Sequence, residues 1–207
     1  MKPEGKLSTG GMVALYLAMA AIAAGLMHWR IGKGSFPWHE FVPGTSTMMI
    51  RGTVLTVLLV AAVHLISRLL IRIAPVFERS SLQMGSVLKG LSGIQVAALA
   101  LASGTGEEML FRGWLLNETG LWVSSLIFGL MHIPPNRDWW SWPVFAGVVG
   151  GLLGLLYIES HSLIYPIAAH AGINFINISL VLRLARRREG YTPNAGQTDP
   201  KDGGIHG

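Results

Sequence analysis

Glu107 and Glu108 stand side by side in an apolar stretch, in the run Glu-Glu-Met-Leu-Phe-Arg that ends at Arg112. On an α-helix, which turns about 100° per residue, Glu108 and Arg112 share a face at the spacing of an intrahelical ion pair, and Glu107 points away from the arginine. That spacing divides the labour: Glu108 is neutralised by Arg112, and Glu107 is left to face another group. A carboxylate inside a bilayer costs about 2.5–3.5 kcal/mol even on lenient insertion scales. Two in one segment point to chemistry, and a carboxylate held out of water suits a general acid or base. The plainer reading, both glutamates as structural glue around Arg112, stays open on this doublet alone.

Two further polar clusters follow, Phe128-Gly-Leu-Met-His132 and His170-Ala-Gly-Ile-Asn174. His170 and Asn174 are four residues apart and share a face, with Asn177 nearly along it. A lone histidine in an apolar helix is more often a hydrogen-bonded core residue, and His64 is read that way. His132 and His170 are read differently because they converge with Glu107. With a turn near Asn117–Gly120, Glu107 and His132 each lie about 16 Å along their helices from it. With a turn near Ser160–Ser162 on the same side, His170 lies about 12–15 Å from it. Three segments thus bring ionisable groups to nearly one plane.

The elements that must hold these residues are written in the composition. The chain has 207 residues, 51% hydrophobic and 13% charged, with a mean hydropathy of +0.47. Soluble domains carry about 25% charged residues, so the class is an all-α, polytopic transmembrane bundle. The net charge is +5, but the basic residues gather at the ends of apolar runs, as in membrane proteins, which argues against nucleic acid as a partner. Cysteine is absent, which excludes thiolate nucleophiles, disulfides and cysteine-ligated zinc.

About six helices are expected. The first covers residues 11–29 and is read as a retained helix rather than a cleaved signal peptide. After a loop over 30–51, the second runs from Gly52 to Ile71. A polar stretch from Glu78 to Gln83 precedes the third, Val87 to Leu116, with a step at Gly104-Thr105-Gly106. The fourth is short, 121–133, stopped by Pro134-Pro135; the fifth and sixth cover 143–158 and 163–184. Gly147/Gly151 and Gly150/Gly154 are GxxxG pairs, read as close helix packing. One domain, 1–184, is expected, followed by a basic and then polar, disordered tail over 185–207.

Together, EEMLFR at 107–112, FGLMH at 128–132 and HAGIN at 170–174 resemble the CPBP family (CAAX proteases and bacteriocin-processing or Abi proteins), which includes the type II CAAX prenyl endopeptidases. The three motifs occur in the family's order, and the resemblance covers residues 87–184. It implies an intramembrane endopeptidase acting on a membrane-associated protein or peptide within the lipid bilayer. Glu107 with His132 would activate a water, His170 and Asn174 would stabilise the oxyanion or orient that water, and Glu108, Arg112 and Phe128 would support the site. Two histidines and a glutamate are also a competent zinc set. The expectation favours a metal-free glutamate mechanism, with zinc on Glu107, His132 and His170 as the alternative. A bacterial plasma membrane is the expected location. The chain is short for the family, so a substrate-gating helix is expected to be absent.

Six crossings and the basic residues Arg183, Arg186, Arg187 and Arg188 put both termini in the cytoplasm. The turns nearest the site then face outward, whereas the resemblance implies a site reached from the cytosol. Two other classes compete with the peptidase. A non-catalytic immunity or partner-binding protein would keep the fold and tolerate loss of the motif residues. A proton pathway would need a file of polar groups across the membrane, not a cluster at one depth.

Overall fold

The computed structural model describes residues 8–31, 38–133 and 140–190. Among these, every regular element is helical: α1 (Thr9–Ile31), a 3₁₀ turn (Trp38–Glu40), α2 (Ser46–Ile73), α3 (Pro75–Val87), α4 (Gly93–Glu108), a π-helical stretch (Met109–Leu115), α5 (Leu116–Met131), α6 (Ser141–Ser160) and α7 (Ile164–Gly190). This is a polytopic helical bundle. Four helices, α1, α2, α6 and α7, are each long and apolar enough to cross a membrane.

Local chemistry sets the boundaries. The Thr45 side chain caps α2 by accepting from the Met48 N–H, so the helix starts six residues before the expected Gly52. Pro75 opens α3, where its missing N–H costs nothing, and the polar stretch 78–83 is therefore helical. Gly90, at φ 92°, turns the chain into α4. Ser92 and Gln95 then form a capping box.

The step expected at Gly104-Thr105-Gly106 is not there, and α4 runs through it. Those glycines make close approaches instead. A Cβ at Gly104 would lie 2.9 Å from the Ala171 nitrogen, and one at Gly106 would lie 2.5 Å from the Tyr16 carbonyl oxygen. The irregularity falls after the glutamates, in the π-helical turn. Gly120, at φ 81° and ψ 172°, separates that rod from the remainder of α5. His161, in the left-handed region, turns α6 into α7.

Contacts along the helices fix their directions. Thr9 touches Gln95, Tyr16 touches Gly106 and Met27 touches Gly113, so α1 and α4 are parallel. Gly52 meets Tyr165, Val60 meets Gly172 and Ser67 meets Asn177, so α2 and α7 are parallel too. Those senses are the ones six alternating crossings produce. The ends of α2 and α7 thus share one face of the bundle, which carries Arg68, Arg72, Arg79, Arg183, Arg186, Arg187 and Arg188. There, α3 packs along α7, with Gly85 against the Val181 carbonyl and Arg188 2.5 Å from Glu78. Because α7 continues to Gly190, the basic residues to Arg188 lie on a helix. The expected polar tail beyond it, like Pro134 and Pro135, lies outside the described residues.

Candidate active site

Arg112 comes first, because a fully buried guanidinium must be answered on all sides. Its side chain is 1% exposed. Nη1 donates to Glu108 Oε1 at 2.6 Å, and Nη2 donates to the Gly150 carbonyl of α6 at 2.6 Å. The guanidinium carbon, Cζ, lies 4.8 Å from the centre of the Phe128 ring, a cation–π contact. Only glycine fits at position 150, since a Cβ there would be 2.9 Å from Phe128 and 3.3 Å from Arg112. Gly150 and Gly154 therefore do serve packing, as their spacing suggests.

Glu108 Oε1 also accepts from His170 Nδ1 at 2.6 Å. A carboxylate oxygen paired with Arg112 can only accept, so Nδ1 carries the proton and Nε2 is the lone-pair nitrogen of a neutral ring. The same logic holds for His132, whose Nδ1 is 2.7 Å from the Phe128 carbonyl. Phe128 is thus the hub of the aromatic packing. Its ring lies 4.6 Å from His132, 5.9 Å from His170 and 4.8 Å, edge to face, from Phe111.

Both Nε2 atoms face Glu107. Each is 3.8 Å from Glu107 Oε2, which is buried without a hydrogen-bond partner. At 3.8 Å these are not hydrogen bonds. Three acceptors converge on one gap, and what belongs between them is a donor or a cation. A water about 2.8 Å from each heavy atom bridges such separations. The donor set is also chemically that of a catalytic zinc. The spacing, however, exceeds the roughly 3.3 Å between ligands in a tetrahedron with bonds of about 2.0–2.1 Å. Among the described residues no group of three or more such side chains stands at metal-binding geometry. As placed, the residues fit a water and not a zinc ion.

The remaining site residue, Asn174, donates from Nδ2 to Ser103 Oγ at 2.9 Å, and that amide nitrogen keeps a second hydrogen. Asn177, expected nearly along the same face, turns to Ser67 of α2 instead. Hence Glu107, His132 and His170 are brought together, Glu108 and Arg112 brace them, and Asn174 stands one helical turn from His170. His64 takes no part.

Sequence reasoning missed three contributors. The Gly150 carbonyl has no side-chain signal at all. Ser103, one turn before Glu107, was a readable signal as a hydroxyl in an apolar run. Tyr16 of α1, whose hydroxyl interacts with the Glu107 carboxylate, sits in a helix that looked too generic to matter.

Access differs among the three central residues. The side chain of His132 is 24% exposed, against 6% for His170 and 8% for Glu107. Gly129 packs against Pro143, near the start of α6, and Ser141 is 3.4 Å from Ser80 of α3. His132 therefore lies towards the arginine-bearing face. At the opposite face a polar clasp joins four elements. Arg30 pairs with Glu40 at 2.8 Å and donates to the Gly113 carbonyl, while the Tyr157 hydroxyl donates to Glu40. The Leu163 N–H, donating to the Glu40 carbonyl, and the Ser162 hydroxyl, donating to the Phe41 carbonyl, complete it.

No solved structure matches the chain. A Bacillus subtilis (strain 168) protein named as the uncharacterized protein YpbD is 39% identical over 72 residues, 35% of this chain and 38% of its own length. The chain thus spans well under half of that curated relative. Residues 89–176 match the family described as Type II CAAX prenyl endopeptidase Rce1-like. Every residue of the site but Tyr16 lies inside that segment, so the part of the chain that is similar to the type II CAAX prenyl endopeptidase Rce1-like family is the part that carries the site.

Proposed function

We propose that this protein is an intramembrane endopeptidase that hydrolyses a peptide bond of a membrane-associated protein. One observation carries the reading: a buried, unpartnered carboxylate oxygen faces two histidine lone pairs across a gap the size of a water. A water there donates one hydrogen to Glu107 Oε2 and the other to the histidine Nε2 atoms, which share it, and its oxygen lone pair is free to attack a carbonyl carbon. Glu107 takes the proton from that water and delivers it to the leaving nitrogen as the C–N bond breaks. His132 and His170 hold the water, with Glu108 fixing the tautomer of His170. The free amide hydrogen of Asn174 stabilises the developing oxyanion.

The arginine-rich face is cytosolic by charge. The substrate approaches from that face past His132, the most exposed of the three central residues, because the other face is closed by the clasp. This reconciles six crossings with a site reached from the cytosol. The bacterial match supports a bacterial plasma membrane as the location.

The test compares the cleavage products of host membranes carrying wild type, Glu107→Gln or no protein. Specific cuts that require Glu107, at equal protein levels, establish the peptidase and name its substrate. Unchanged products with a preserved phenotype would transfer the fold to the immunity or partner-binding class. Treating the purified enzyme with a strong chelator separates the two water-activation chemistries: activity persists if Glu107 acts alone and is lost if zinc is required.

A further inference from the structure

We propose that Tyr16 of α1 positions the catalytic carboxylate, so that the active site extends beyond the segment that carries the family's motifs. This inference rests on the peptidase reading. From residue 11 to 27, Tyr16 is the one side chain with a hydrogen-bonding group. The packing of α1 on α4 is closest at this point, with Gly106 against the Tyr16 carbonyl, so the two backbones all but touch beside Glu107. The phenol interacts with the Glu107 carboxylate and is half-buried.

The chemistry of that contact is specific. Glu107 Oε2, the oxygen that faces both histidines, has no partner. The tyrosine proton therefore belongs to the other oxygen of the same carboxylate. A glutamate has three side-chain torsions, and an isolated carboxylate in a cavity would sample several rotamers. A donor on one oxygen holds the group so that the second oxygen stays aimed at the water gap. The parts of Glu107 are then separated: one oxygen is held, the other reacts. Position 106 is glycine because the helix that brings the phenol must come within backbone contact of α4. Tyr16 is a positioning residue, acting through Glu107.

The test uses full-length protein in proteoliposomes with the substrate identified by its Glu107-dependent cleavage. Tyr16→Phe keeps the ring and removes only the hydroxyl. Its kcat should fall about 10- to 100-fold, the range of a lost hydrogen bond to a charged group. KM should stay within about twofold, and thermal stability should be unchanged. Gly106→Leu, which wedges α1 away, should lower kcat in the same direction. Tyr16→Phe that cleaves at the wild-type rate would overturn the proposal. So would a variant whose KM and stability change as much as its kcat, because that marks a merely structural tyrosine. If no product depends on Glu107, the peptidase reading itself falls and takes this one with it; Glu107 dependence with a silent Tyr16→Phe sinks this one alone.

Discussion

Two adjacent glutamates should respond to the same substitution in different ways. Glu107→Gln removes a base but leaves no charge stranded, so the protein should accumulate normally while cleavage falls by at least about 10²-fold. Glu108→Gln leaves the guanidinium of Arg112 buried without its counter-charge, a loss of about 3–5 kcal/mol for a broken buried pair. Its signature should be a lower thermal midpoint and less protein in the membrane, measured before any activity. The Glu108–Arg112 pair was legible because a four-residue separation within one helix fixes it without tertiary information. The bond from His170 to Glu108 was not, because it depends on how α7 crosses α4. The convergence of His132 and His170 on Glu107 was foreseen from equal distances to the turns.

Gly150 and Gly151 are neighbours in one glycine-rich helix, yet they face different surroundings. A methyl group at 150 would meet Phe128 at 2.9 Å, whereas one at 151 would lie 3.6 Å from the Ser125 side chain, an ordinary contact. Gly150→Ala should therefore destabilise by about 1–3 kcal/mol through overpacking and reduce turnover by shifting Phe128. Gly151→Ala should be neutral or mildly stabilising, since alanine is the better helix former. Thermal unfolding of the two variants in the same detergent checks the contrast. Their spacing announced close packing but not which pair supplies it, because both pairs satisfy the same GxxxG rule. The same ambiguity explains the missing step at Gly104-Thr105-Gly106. A glycine in a helix can mark a break or a close approach, and the partners Tyr16 and Ala171 are far away in sequence. The π-helical turn at 109–115 left no sequence signal.

At the scale of the whole molecule, the two faces of the bundle are built differently. One carries the arginines and lies nearer His132; the other is drawn shut by Arg30, Glu40 and Tyr157. Glu40→Gln should lower the thermal midpoint while leaving turnover per folded molecule near wild type, because the clasp touches none of the residues around the water gap. The helical bundle and its four membrane-length helices were readable from hydropathy, since a bilayer demands long uncharged helices. The clasp was not, because it joins a loop, the turn after α6 and the backbone of the π-helical stretch. The ion pair within one helix has a consequence for how the chain is made. The segment carrying Glu107, Glu108 and Arg112 leaves the ribosome some sixty residues before His170. It must enter the membrane before that partner exists, at a cost of about 2.5–3.5 kcal/mol for each bare charge. Because Arg112 lies one turn from Glu108, the segment brings its own counter-ion and enters carrying one net charge instead of three separate ones. Arg112→Leu should accordingly fail during biogenesis, as chain that never integrates, before any question of catalysis arises.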